Sequence, residues 1–148
     1  MTSRHTKTPV PYSAAQMFDL VADVDQYPVF LPWCVALRVI KKDIDDGQGT
    51  LTADMIVAYK VFREKFRSKV TLDRAHYAID VCYQDGPFKN LENRWRFIDQ
   101  PDGGSVIDFE IIFEFKNFIL QAAAQTVFDK AFSRMSEAFV MRADEIYG

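Results

Sequence analysis

Ser105-Val106-Ile107-Asp108-Phe109-Glu110-Ile111-Ile112-Phe113-Glu114-Phe115 alternates so that Ile107, Phe109, Ile111, Phe113 and Phe115 share one face of a strand. Asp108, Glu110 and Glu114, with Val106 and Ile112, share the other. One apolar face and one acidic face imply a sheet covered on a single side, which favours an antiparallel meander over a parallel sheet buried on both faces. Directly after it, from about Asn117 to Ile146, Ala124, Val127, Phe128, Ala131, Phe132, Met135, Ala138, Phe139 and Arg142 recur at steps of three and four, the stripe of an amphipathic helix. At ~1.5 Å per residue such a helix reaches ~45 Å, enough to cross a sheet.

Upstream, period-2 alternation broken by Gly, Asp and Pro clusters predicts strands near Val35–Asp43, Thr50–Ala58, Phe62–Asp73, Tyr77–Tyr83 and Lys89–Ile98. A capping box, Ser13 with Gln16, opens a short helix from Ala14 to Ala22. Before it, Arg4–Val10 reads as an extended edge strand because Val10 lies between Pro9 and Pro11. After it, Pro28 and Pro32 interrupt the apolar segment Asp23–Cys34, which reads as a short helical turn capping the core. The pattern is an α+β fold, with residues 1–148 as one domain: six or seven antiparallel strands in a curved sheet gripping the last helix.

Composition excludes several classes. The balance of 18 Lys+Arg against 21 Asp+Glu, net −3, disfavours nucleic acid or an anionic membrane as a bulk electrostatic partner. Cys34 and Cys82 form no C-x-x-C motif, and with only His5 and His76 no metal site is written, so a reducing compartment and no metal are expected. No apolar run is long enough to span a membrane, and Met1–His5 lacks a secretory signal's apolar stretch.

Catalytic signals are sparse. His5 falls in a terminal segment expected to fray, His76 follows the Arg74-Ala75 turn, and phosphate-binding glycine loops are absent. Binding signals are richer. Leu91, Trp95 and Phe97, Phe62 and Phe66, and Phe109 and Phe113 form inward aromatic rows, and 13 Phe is a large supply for one small core. Periodicity alone leaves a lined cavity and a fully packed core equally open, with Tyr59, Cys34, Asn93 and Gln125 as candidate polar groups. On the opposite parity, Arg63, Lys65, Arg67 and Lys69 make a cationic row that Lys41 and Lys42 extend. It is either a patch for rRNA or anionic headgroups, or a solvated face neutralised by acids such as Asp108 and Glu110.

Tyr27-Pro28-Val29-Phe30-Leu31-Pro32-Trp33-Cys34, Gly86-Pro87-Phe88-Lys89-Asn90-Leu91, Trp95-Arg96-Phe97, Phe113-Glu114-Phe115 and the final Ala143-Asp144-Glu145-Ile146-Tyr147-Gly148 occur in order along the chain. Together they resemble the coenzyme Q-binding START-domain family, part of the polyketide cyclase/START superfamily, which includes bacterial ribosome-association toxins of the RatA kind. The resemblance implies a helix-grip fold with a hydrophobic cavity and a non-enzymatic role binding ubiquinone as ligand rather than cofactor. It would support respiratory electron transport or ubiquinone biosynthesis. Phe30, Leu31, Trp33 and Cys34 would be a lid, Trp95 and Phe97 the floor, and Phe128, Phe132 and Met135 the helix wall, with Phe66, Phe109 and Phe113 also among the ligand-binding residues. The alternative it implies is ribosomal-subunit binding through Arg63, Lys65, Arg67 and Lys69; a cyclase-type enzyme on the same fold would need a convergent acid/base pair. A cytoplasmic protein peripheral to a bacterial inner membrane is the expected location, a mitochondrial matrix protein the second.

Overall fold

The computed structural model describes residues 2–59 and 62–148. Seven strands, β1 (Thr2–Val10), β2 (Cys34–Asp45), β3 (Gln48–Tyr59), β4 (Phe62–Asp73), β5 (Ala78–Asp85), β6 (Phe88–Asp99) and β7 (Ser105–Phe115), form one sheet in the order β1-β7-β6-β5-β4-β3-β2. Every neighbouring pair is antiparallel. Between the two edge strands the chain passes through α1 (Ala14–Ala22), a 3₁₀ turn (Val24–Gln26) and α2 (Tyr27–Phe30), and it closes with α3 (Phe118–Tyr147). β4, β7 and α1 have the bounds read from sequence, because in each the hydrophobic period runs unbroken to a turn or cap; most other strands extend one or two residues further.

β1 begins earlier than expected and pairs with β7 along its whole length, from Thr2 opposite Phe113 to Val10 opposite Ser105. His5 is therefore not in a frayed end. Its Nε2 lies 2.5 Å from Asp108 Oδ1 on β7. Pro9 is tolerated because β1 is an edge strand that needs hydrogen bonds on one side only.

In α1 the Gln16 backbone N–H donates to Ser13 Oγ at 3.1 Å, and the Ser13 N–H donates to Gln16 Oε1 at 2.9 Å, so both halves of the capping box are made. This fixes a helix that buries Met17, Phe18, Leu20 and Val21 over one end of the sheet, with Phe18 edge-on to Phe97. Register shifts between Cys34 and Ala36 and between Val39 and Lys41 in β2, Arg67 and Ser68 in β4, and Phe88 and Asn90 in β6 mark bulges, which bend and twist strands. At the β5–β6 turn, Gly86 has φ +141, and a Cβ there would stand 2.8 Å from Phe66 Cβ, so only glycine lets this turn close against β4.

α3 is tied down at both ends. Asn117 Oδ1 accepts from the N–H groups of Ile119 (2.8 Å) and Leu120 (3.2 Å), and Gln121 accepts from the Phe115 N–H at 2.8 Å while donating to Thr2 Oγ1 at 3.1 Å. At the far end Phe139 and Ala143 are buried, and Tyr147 Oη donates to the Gln16 carbonyl at 2.9 Å. Ser13→Ala should lower stability by about 1 kcal/mol, a fall of about 2–4 °C in the melting midpoint followed by circular dichroism; an unchanged midpoint would show that the cap is not what holds α1.

Candidate functional site

Between the concave sheet face and α3 lies a cavity of about 280 Å³. Phe62, Phe66, Leu91, Trp95, Phe109 and Phe113 line it from the strands, Tyr27, Leu31 and Trp33 from the segment around α2, and Val127, Phe128, Phe132, Met135 and Phe139 from α3. Ala124 and Ala131 also face it, and such short side chains on a helix otherwise rich in large ones leave room beneath it. The aromatic residues brace one another. Ring centroids are 4.1 Å apart for Trp95 and Phe109, 5.1 Å for Trp95 and Phe139, 5.7 Å for Phe109 and Phe132, and 4.7 Å for Phe113 and Phe128. The last three lie within the ~4.5–7 Å range at which aromatic pairs attract, and Trp95 and Phe109 are in closer contact still.

Leu31, Trp33, Phe66, Trp95, Phe109, Phe113, Phe128, Phe132 and Met135 are all brought to this wall. Phe30, Cys34 and Phe97 are not. The turn of α2 rotates Phe30 onto Phe139 (5.3 Å) and beneath the Arg142 guanidinium (5.5 Å), outside the lining. Cys34 is buried where β2 starts, its thiol directed to the Ala36 carbonyl at 3.8 Å, and burial pushes that thiol up to about 11. Phe97 faces inward, as its parity requires, but α1 covers it at that end of the sheet.

Among the proposed polar groups, Asn93 lines the cavity, whereas Gln125 is exposed and donates to Thr2 Oγ1 at 3.4 Å. The side chain of Tyr59 lies outside the described residues. Sequence reasoning passed over Glu64 and Ser68, which share the inward parity of Phe62, Phe66 and Val70 on β4 and also line the cavity. That parity was the signal that would have found them.

The odd-numbered side of β4 presents Arg63, Lys65, Arg67 and Lys69 to solvent on the convex face. Arg67 Nε and Nη2 donate to the two Asp54 carboxylate oxygens at 2.8 and 3.2 Å, and this hydrogen-bonded guanidinium holds the Asp54 carboxyl below its usual range. Lys41, opposite Thr52, belongs to the same face; Lys42 does not, because it stands opposite the buried Leu51. Asp108 and Glu110, the acids expected to neutralise the row, are three strands away on β7, opposite Arg96 and Arg94.

Residues 10–140 match the family model described as polyketide cyclase / dehydrase and lipid transport. The chain belongs to this family. Within the family, ribosome association toxin RatA of Rickettsia prowazekii is 34% identical over 149 residues, 99% of this chain and 98% of that one. Coenzyme Q-binding protein COQ10 homolog B, mitochondrial, of Xenopus laevis is 32% identical over 140 residues, covering 93% of this chain and 56% of the relative. The solution structure of the 18 kDa protein CC1736 of Caulobacter crescentus superposes with a TM-score of 0.83 at 35% identity, over 100% of this chain and 99% of that one. The curved sheet gripping a long terminal helix is the START-like arrangement. No helix among the described residues is long and apolar enough to cross a membrane.

The contrast between buried Cys34 and exposed Cys82 gives a direct check. At pH 8, native protein should titrate one thiol with a disulfide reagent and denatured protein two, because a thiol pushed up to about 11 and closed from solvent is neither ionised nor accessible. Since folding raises that value, the neutral thiol's contribution to stability is complete at neutral pH and declines as pH rises through 9 to 11. Two reactive thiols in the native state would contradict the placement of Cys34.

Proposed function

We propose that this protein is a non-enzymatic binder of a hydrophobic ligand, ubiquinone or a similar prenylated lipid, acting as a lipid chaperone or carrier that supports respiratory electron transport or ubiquinone biosynthesis. The observation that carries the reading is the aromatic and aliphatic cavity of about 280 Å³ under α3. Similarity to a coenzyme Q-binding relative supports it. The volume is near the lower end of the ~300–1,000 Å³ usual for small-molecule sites, so it suits a ring and its first isoprene units, with the rest of a long tail leaving the protein. Ubiquinone is here a cargo, and no cofactor is invoked. Glu64 is the carboxylate of the lining, while His5 and His76 sit on an edge strand and a surface turn, so the wall favours contact over acid–base chemistry.

Where α3 begins, three residues after the cavity-lining Phe115, Phe118 is 86% and Ile119 76% exposed, with the cationic Lys116 two positions before Phe118. Apolar side chains beside a cation suit shallow contact with an anionic membrane surface, from which a tail would be drawn. The location that goes with this proposal is the cytoplasm, peripheral to a bacterial inner membrane, with the mitochondrial matrix second.

Protein purified from a ubiquinone-making host and analysed by native mass spectrometry with lipid extraction should carry quinone, and Phe132→Asp or Trp95→Ala, checked for folding by circular dichroism, should lose most of it. Quinone retained at wild-type levels by both folded variants would remove the cavity as the site.

The exposed row Arg63, Lys65, Arg67 and Lys69, joined on the same face by Lys41, favours ribosomal-subunit binding as a second reading, one that the RatA relative supports. Phosphate contacts predict association that weakens steeply with salt. Reversing all four charges to Glu should abolish co-sedimentation with subunits at low salt; undiminished co-sedimentation would exclude this face.

A further inference from the structure

Most polar side chains in the cavity wall are engaged or sealed. The Tyr27 hydroxyl donates to the Val21 carbonyl at 2.5 Å, and the Ser68 hydroxyl and the Trp33 indole Nε1 are closed off within the packing around them. Glu64 and Asn93 remain. Asn93 stands on the inward row of β6 between Leu91 and Trp95, opposite Val81 of β5 and Ile111 of β7, and all four of these neighbours line the cavity. Asn93 is half-buried, its amide is neither closed off nor hydrogen-bonded within the described residues, and the other row of the strand, Glu92 and Arg94, takes the outer face. The amide is therefore open to the cavity from the middle of an apolar floor.

An amide in such a place is disfavoured unless something inside the cavity bonds to it. Water can serve in the absence of a ligand. A ligand oxygen that takes the water's place keeps the bond, whereas a hydrocarbon strips it. Asparagine both donates and accepts, so it fits a carbonyl or a hydroxyl. Charge narrows the class. The lining holds no Lys, Arg or His among the described residues, so an anionic head would be buried without a counter-charge. Glu64 is out of reach of a head at Asn93, because the ladders set Asn93 level with Val81 and Val81 level with Val70, six positions from Glu64 on β4 and thus ~20 Å along the strand. A cationic head held by Glu64 would leave the Asn93 amide unmet.

We infer that the Asn93 amide is the polar contact for the head of the ligand, and that this head is uncharged and carries a carbonyl or hydroxyl oxygen. The inference rests on the cavity being a ligand site and adds which residue recognises the head and which class of head it takes. Apolar contact with the aromatic walls is open to any oily molecule; the amide separates a quinone from a hydrocarbon of the same chain length.

The test is equilibrium dialysis of the full chain against three probes with ten-carbon chains: decylubiquinone, decylbenzene and decanoate. Asn93→Leu keeps the shape of the side chain without its amide, and Asn93→Ala repeats the reading should leucine disturb the fold followed by circular dichroism. Wild-type protein should bind decylubiquinone most tightly and decanoate least. The variant should weaken decylubiquinone about five- to tenfold, the size of one lost hydrogen bond, and bind decylbenzene as tightly as wild type or tighter, a crossed response that a general defect of the cavity would not give. Decylubiquinone unchanged in a folded variant, or both probes weakened alike, would overturn the role of Asn93 while the cavity reading stands. Decanoate bound by wild type as tightly as decylubiquinone would overturn the uncharged head. If wild-type protein binds neither decylubiquinone nor decylbenzene, the cavity reading fails and this inference fails with it.

Discussion

A thirty-residue helix suspended across a concave sheet is the constraint on which the rest of the structure depends. A helix rich in large apolar side chains would ordinarily sink onto its sheet until the gap closed, since dense packing is what interiors reach. Here polar ties at the first turn and buried Phe139, Ala143 and Tyr147 contacts near the last fix the height of both ends. Between them, Phe128 against Phe113 and Phe132 against Phe109 prop the span. The cavity is the space those props enclose.

β4 shows how one strand serves two surfaces. Its even positions, Phe62 to Val70, face the cavity and its odd positions, Arg63 to Lys69, face solvent, so a register slip of one residue would drive four cations into an apolar chamber. The β3–β4 register, continuous from Gln48 opposite Asp73 to Tyr59 opposite Phe62, is thereby strongly specified. The same parity explains why an apolar cavity and a cationic face coexist without mixing: the sheet separates them by its own thickness, and Asp54 anchors one of the cations on the outer side.

Much of this is legible in the sequence. Ser105–Phe115 and Phe62–Asp73 announce themselves because turn residues bound an unbroken two-residue period, and the α3 stripe picks out its own inner wall, Ala124 to Phe139. What periodicity cannot convey is which neighbour covers an inward side chain. Phe97 obeys the parity of Trp95, yet α1 lies over it, and the placement of α1 is set by the crossing from β1 to β2 rather than by any local signal. Phe30 departs from its expected place for a related reason, since a single helical turn that contains Pro28 and ends before Pro32 rotates its side chain by an amount no pattern records. Ser68 and Glu64 share the inward parity of Phe62 and Phe66, but a polar side chain on an inward row breaks the apolar period that marks a buried face.

The pairing of β1 with β7 has a consequence for synthesis. His5 and Asp108, neighbours across that ladder, are 103 residues apart in sequence, and α3, which supplies one wall of the cavity, follows all seven strands. While a chain is still growing, β1 has no partner until β7 is made, and the concave aromatic rows stand uncovered until α3 has followed. Non-local pairing of this kind slows folding and leaves sticky surface open in the meantime. A nascent chain of this protein is thus a natural client for holding chaperones, and truncation within α3 would yield a persistent, aggregation-prone sheet rather than a smaller working domain.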